Sequence, residues 1–137
     1  MHQEICLSHT DAMKIIDAIR CELEQDNRTA AVAVVDAHGE LIAFLRTDFC
    51  RPSVINISIH KAYTAAREQV ESEAVGKAAI EHQFPITNFG DLRYTGWGGG
   101  IPIKHKGRVI GAVGVSGLPD QDDIQLAKLG AGLIDSL

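Results

Sequence analysis

The 137-residue sequence predicts one α+β domain, with helices packed against an antiparallel sheet. Three observations point there. Two pairs of strand-like runs are each joined by a short polar linker that ends in glycine, the signature of a β-hairpin. Segments with apolar residues at three- and four-residue spacing precede, separate and follow these hairpins. No linker or internal repeat divides residues 1–137. Strands joined by tight turns pair antiparallel, and the expectation is that the helices cover one face of the sheet.

The first element is a helix capped by Ser8 or Thr10, with Asp11 placed to favour its positive end. Ala12, Ile15, Ile16, Ile19 and Leu23 form its apolar stripe, and Asp26-Asn27 ends it. Ala30–Val35 and Glu40–Arg46 are the first strand pair, turning through Asp36-Ala37-His38-Gly39, where His38 is a solvated turn residue. Pro52 reads as the first-turn proline of a second helix running to about Arg67. One side of that helix is apolar (Ile55, Ile59, Ala62, Tyr63, Ala66); the other carries Ser53, Asn56, His60, Thr64 and Arg67. Glu71–Gln83 reads as a third helix. From Phe84 to Gly100 no period is visible, yet four of the seven aromatics lie there: Phe84, Phe89, Tyr94 and Trp97. A patternless stretch of that length in a small domain is often functional. Ile101–Ile103, a turn at His105-Lys106-Gly107 and Val109–Val115 make the second hairpin. Gly111 and Gly114 weaken its long strand, so another backbone or a ligand is expected to approach closely there. A last helix follows Leu118-Pro119-Asp120, with Asp122 and Asp123 favouring its start.

Composition bounds the function. Hydrophobic residues make up 45% and charged residues 23%, while 18 acidic against 13 basic side chains give a net charge of −5. That balance argues against nucleic acid or an anionic membrane surface as partner. The longest apolar run, Ala30–Val35, is far short of the ~20 residues that span a bilayer. The first residues lack a signal-peptide pattern, so a cytoplasmic location is expected. Cys6, Cys21 and Cys50 form no CxxC pair, and Cys21 and Cys50 read as small buried hydrophobes.

No catalytic constellation stands out, and no catalytic residue is assigned. The six histidines form no HxH, HxxxH or HExxH motif and have no zinc-site spacing. An axial haem ligand, however, needs only one histidine beside an apolar cleft. His60, on the polar line of the second helix, is the candidate for that metal-ligating role. Gly98-Gly99-Gly100 can present backbone N–H groups to an anion but belongs to neither a Walker nor a GxGxxG sequence. Ser116 lacks the final glycine of a nucleophile elbow.

Several segments together resemble one family. Val34–Gly39 with Ala43-Phe44 resembles its first hairpin, and Lys61–Ala66 its KAxTAA helix. Gly98–Ile103 resembles its GGGxPI strand, and Gly111–Gly117 with Asp120–Asp123 its GAxGVSG…D close. The matches come in family order and span nearly the whole chain. On these motifs the sequence resembles the GlcG/HbpS-like family, also found as the C-terminal domain of PduO-type proteins. The resemblance implies a profilin-like fold, a homo-oligomer, and in several members the binding of haem or a related tetrapyrrole. It also implies an accessory place in cobalamin-dependent diol or glycerol metabolism, or in glycolate metabolism.

Two readings follow, and a third, a purely structural oligomer subunit, stays open beside them. In the first, a non-catalytic protein binds a tetrapyrrole between Asn56–Arg67 and the Tyr94–Gly100 loop. His60, Lys61 and Thr95 are candidate ligands by position and chemistry, and Thr64 lies on the same polar line. Arg67 or Lys61 pairs with a propionate, and Trp97 or Tyr94 covers the ring. In the second, a small enzyme or accessory factor holds an oxygenated carboxylate or phosphate metabolite through the Gly98, Gly99 and Gly100 amides and Lys61.

Overall fold

The computed structural model describes residues 1–136. Helix α1 (His9–Gln25) leads into strands β1 (Ala31–Asp36) and β2 (Leu41–Arg46). Helices α2 (Val54–Glu68) and α3 (Ser72–Glu81) come next, then a single 3-10 turn at Ile86–Phe89. Strands β3 (Gly100–His105) and β4 (Arg108–Ser116) and helix α4 (Asp120–Ala131) complete the domain, with a short 3-10 segment over Gly132–Ser136. The four strands form one antiparallel sheet in the order β2-β1-β4-β3. β3 is therefore an edge strand, and it tolerates Pro102, which cannot donate to a ladder.

The expected elements form, with ends shifted by a residue or two. Ser8 caps α1, its side chain accepting from Asp11 N at 3.0 Å. The stripe Ala12, Ile15, Ile16, Ile19 and Leu23 is the buried face of that helix. Pro52 lies in the turn before α2 rather than in its first turn, because helical hydrogen bonding begins only with Val54 and Ile55 reaching back to Arg51 and Pro52. Cys50 is buried, but Cys21 is exposed; it falls on the outer side of α1 between Arg20 and Glu24.

The helices cover both faces of the sheet, not one. Residues Ala31–Val35 are all fully buried, so the two central strands need apolar cover on each side. Val32 and Val34 of β1 and Val113 and Val115 of β4 meet α1 and α4 through Ile15, Ile19, Ile124 and Ala127. Burying each such aliphatic side chain contributes roughly 1.5–3 kcal/mol. On the opposite face the residues are small: Ala33, Val35 and Ala112 meet Ala62, Ala65 and Ala66 of α2. This lets α2 lie against the sheet backbone. A Cβ on Gly114 would collide with Ser58 O, and one on Gly100 with Lys61 O. The close approach anticipated at Gly114 is thus that of a helix main chain.

Candidate functional site

Helix α2 is clamped to the sheet along one side, and the segment 84–99 folds over its other flank. Tyr63 anchors that contact and is 1% exposed. Its hydroxyl donates to Asp91, and the Arg93 guanidinium lies 4.0 Å from its ring centroid. Asp91 also accepts from Arg93 N at 3.0 Å and from Arg93 Nε at 3.2 Å. The Tyr63 hydroxyl, followed by Arg93, holds the Asp91 carboxyl well below the usual carboxylate range. Burial first, and then the bond to Asp91, push the Tyr63 phenol up, which excludes it as a ready nucleophile.

The rest of the segment continues the same packing. Tyr94 stacks on Phe89 at 4.4 Å between centroids, meets Tyr63 edge-on at 5.8 Å and donates to Glu68 at 2.7 Å. Thr95 N donates to Thr64 Oγ1 at 3.0 Å, and that hydroxyl donates to His60 O at 2.8 Å. Ser72 Oγ donates to Trp97 O at 2.7 Å and accepts from Gly100 N at 2.9 Å. The Trp97 side chain itself stays 59% exposed.

Lys61 faces inward. Its Nζ donates to Val115 O at 2.9 Å and to Asp123 Oδ2 at 3.2 Å, and both side chains are 2% exposed. Asp123 Oδ1 accepts from Leu118 N at 3.1 Å. Burial pushes the Asp123 carboxyl up to about 6, against the pull of the Lys61 charge and its hydrogen bond. Lys61 thus closes the end of the β3–β4 ladder and ties α2 to α4.

The residues singled out from the sequence divide accordingly. Thr64, Tyr94 and Thr95 are brought together, but their polar groups have internal partners: Thr64 bonds His60 O and Thr95 N, Tyr94 bonds Glu68, and Thr95 Oγ1 accepts from Trp97 N. Gly98 packs on the Ile124 side chain, Gly99 (φ +123) on Val115 O, and Gly100 on Lys61. Of the donors expected to hold a carboxylate or phosphate, the Gly98, Gly99 and Gly100 amides and Lys61 Nζ, the Gly100 amide and Lys61 Nζ have internal partners. The segment is bonded directly onto α2, and the two clefts described below lie elsewhere. Arg67 is exposed, 5.2 Å from the Tyr63 ring.

His60 differs from these. It is half-buried, and no hydrogen bond to its ring is present among the described residues. Burial first, then the nearby positive charge of Arg93, lowers its pKa, with Asp91 opposing. The shift favours the neutral imidazole, which keeps a lone pair on one ring nitrogen. Such a group can ligate a metal ion already held in a macrocycle. No cluster of three His, Cys, Asp or Glu suited to a bare metal ion occurs among the described residues.

Sequence reasoning missed Asp91, Arg93, Glu68 and Asp123. The first two lie in the patternless segment, and Asp123 was read only as a helix starter.

Clefts open on the surface among the described residues. One, of about 770 Å³, lies where the β1–β2 and β3–β4 turns meet the end of α2; another, of about 560 Å³, lies along Arg46–Pro52. No helix is long and apolar enough to cross a membrane among the described residues.

Known proteins share this architecture. Protein GlcG of Escherichia coli (strain K12) is 35% identical over 116 residues, covering 85% of each chain. A doubly substituted HbpS from Streptomyces reticuli superposes with a TM-score of 0.87 at 29% identity, covering 98% of this chain and 90% of that one. A PduOC:heme complex superposes at 0.87 with 21% identity over 96% of each chain, a likeness of fold. The family described as "Haem degrading protein HbpS-like" matches residues 7–132, and with α1, both hairpins and α4 all inside that match, the chain belongs to the HbpS-like family.

Proposed function

We propose that the protein binds haem or a related tetrapyrrole, with His60 as the axial ligand. The observation that carries this reading is the half-buried His60 imidazole, whose ring has no hydrogen-bond partner among the described residues and whose pKa is lowered by burial and by the charge of Arg93. No ring nitrogen of His60 is both buried and unpartnered, so one stays open to a ligand arriving from outside. The family description, and the haem in the PduOC complex, support the same ligand class. Arg67 supplies the positive charge for a propionate, since Lys61 is paired inside and Arg93 is bonded to Asp91. Trp97 is the exposed aromatic on the covering segment, and Leu92 beside Arg93 is 90% exposed. Bound haem supplies an iron centre; this chain's part is to orient it and pair its carboxylates. Within the same proposal the protein is a homo-oligomer, supported by Phe49, which is 99% exposed on a left-handed backbone (φ +68). The proposal extends to the accessory metabolic setting that the resemblance implies.

The test is a visible absorption titration with hemin. The parent protein is expected to give a saturable Soret shift. His60→Ala should weaken it by at least about tenfold, equivalent to about 1.4 kcal/mol, and should change the ligation spectrum. An unsaturable shift in the parent, or an unchanged one in His60→Ala, refutes the assignment.

A further inference from the structure

The 770 Å³ cleft lies apart from His60. It is bounded by the two hairpin turns, the end of α2 and the N-terminal arm. Lys104, Lys106 and Arg108 line it together with His38 and His105. The carboxylate on its lining is Glu4, which bonds His2 at 3.1 Å. None of the three cations pairs with a carboxylate among the described residues, a state they share with Lys14, Arg46, Arg51 and Arg67, but these three fall on one hairpin end. In a chain of net charge −5, three neighbouring cations without acids repel one another and create a local positive field.

The backbone adds a second observation. Lys106 (φ +50) and Gly107 (φ +77) form the two-residue turn between β3 and β4. Asn-Gly is the usual occupant of such a turn; here the first position holds a lysine in an unfavourable conformation. Gln69, which ends α2 at φ +60, lines the same cleft. Observed strain of this kind concentrates at ligand sites.

We propose that this cleft binds a small phosphorylated metabolite. A dianionic phosphate is complementary in charge to the exposed guanidinium and ammonium groups that line the cleft. The volume falls within the roughly 300–1,000 Å³ usual for small-molecule sites. The overall negative charge disfavours a polyanionic polymer. The site is independent of haem binding.

The experiment titrates the full-length ¹⁵N-labelled protein with inorganic pyrophosphate and follows backbone amides by NMR. Saturable shifts confined to residues 36–39, 69 and 104–108 are expected. Lys104→Ala/Arg108→Ala should raise the dissociation constant at least about tenfold while leaving hemin binding and the remaining amide shifts unchanged. Lys106→Asn, which suits the turn better, should also weaken binding without unfolding the hairpin. Non-saturating shifts, shifts spread over every Lys and Arg, or unaltered binding in both variants overturn the proposal. So does binding to phosphoinositide vesicles that pyrophosphate fails to displace, which would make the source a lipid surface.

Discussion

Replacing Lys61 with methionine removes one half of a buried ion pair and leaves the other half in place. In the parent, Lys61 Nζ serves both Asp123 Oδ2 at 3.2 Å and Val115 O at 2.9 Å. Lys61→Met leaves a carboxylate that is 2% exposed with only the Leu118 N–H, and a backbone carbonyl without its donor. Removing one partner of such a pair costs about 3–5 kcal/mol, a large share of the roughly 5–15 kcal/mol that stabilises a domain. In melting temperature the loss is on the order of 10 °C. The double variant Lys61→Met/Asp123→Leu removes both charges and should recover most of the loss, because apolar substitution of a whole buried pair is often neutral. The penalty should also depend on pH. Asp123 titrates near 6 in the folded protein, above the ordinary 3.8. The folded state therefore binds its proton more tightly, and stability from this group increases as pH falls from about 6 to about 4. Without Lys61 the carboxyl moves higher still, so the penalty is larger at about pH 8 than at about pH 5. Urea denaturation of the parent, both single variants and the double variant at these two pH values measures it. A Lys61→Met loss below about 1 kcal/mol, a loss equal at both pH values, or a double variant as weak as the sum of the singles would refute the reasoning.

Other consequences follow from the same structure. Asp91 has the opposite sign: the Tyr63 hydroxyl and Arg93 depress its folded pKa, so its contribution is present above the unfolded value and lost as pH falls below it. Asp91→Asn should flatten that acid limb in a thermal-melt series. Gly114→Ala drives a methyl group into Ser58 O and should cost at least about 1–3 kcal/mol by denaturant unfolding. The His60 imidazole, desolvated and within the field of Arg93, should titrate below the ordinary imidazole value of 6.5 when its ring protons are followed by NMR.

Local patterns in the sequence foretold local structure. The α1 stripe, the Ser8 cap and both hairpins were legible because each rests on residues a few positions apart. Gly114 announced a close approach for the same reason, since a glycine inside a strand has few other uses. What escaped depends on pairs brought together by the fold. Lys61 and Asp123 lie 62 positions apart, and the sequence reads each without the other, Lys61 as a cation facing a ligand and Asp123 as a helix starter. The Asp91–Arg93 clamp on Tyr63 lies in a segment with no period to read. Cover on both faces was harder to see because Ala31–Val35, apolar throughout, fits a one-sided strand with small outward residues equally well.

The glycine and alanine bed beneath α2 has a consequence for everything carried on the helix's outer flank. Because the main chain of α2 touches the main chain of β3 and β4 at Gly100 and Gly114, its position is fixed without interlocking side chains. His60 and Arg67 therefore ride on a mount that does not shift when neighbouring side chains change. A lineage of such proteins can alter which groups project from this helix, and with them the ligand, while the anchor beneath stays the same. Variation in this fold's chemistry is thus separated from variation in its stability by the thickness of one helix.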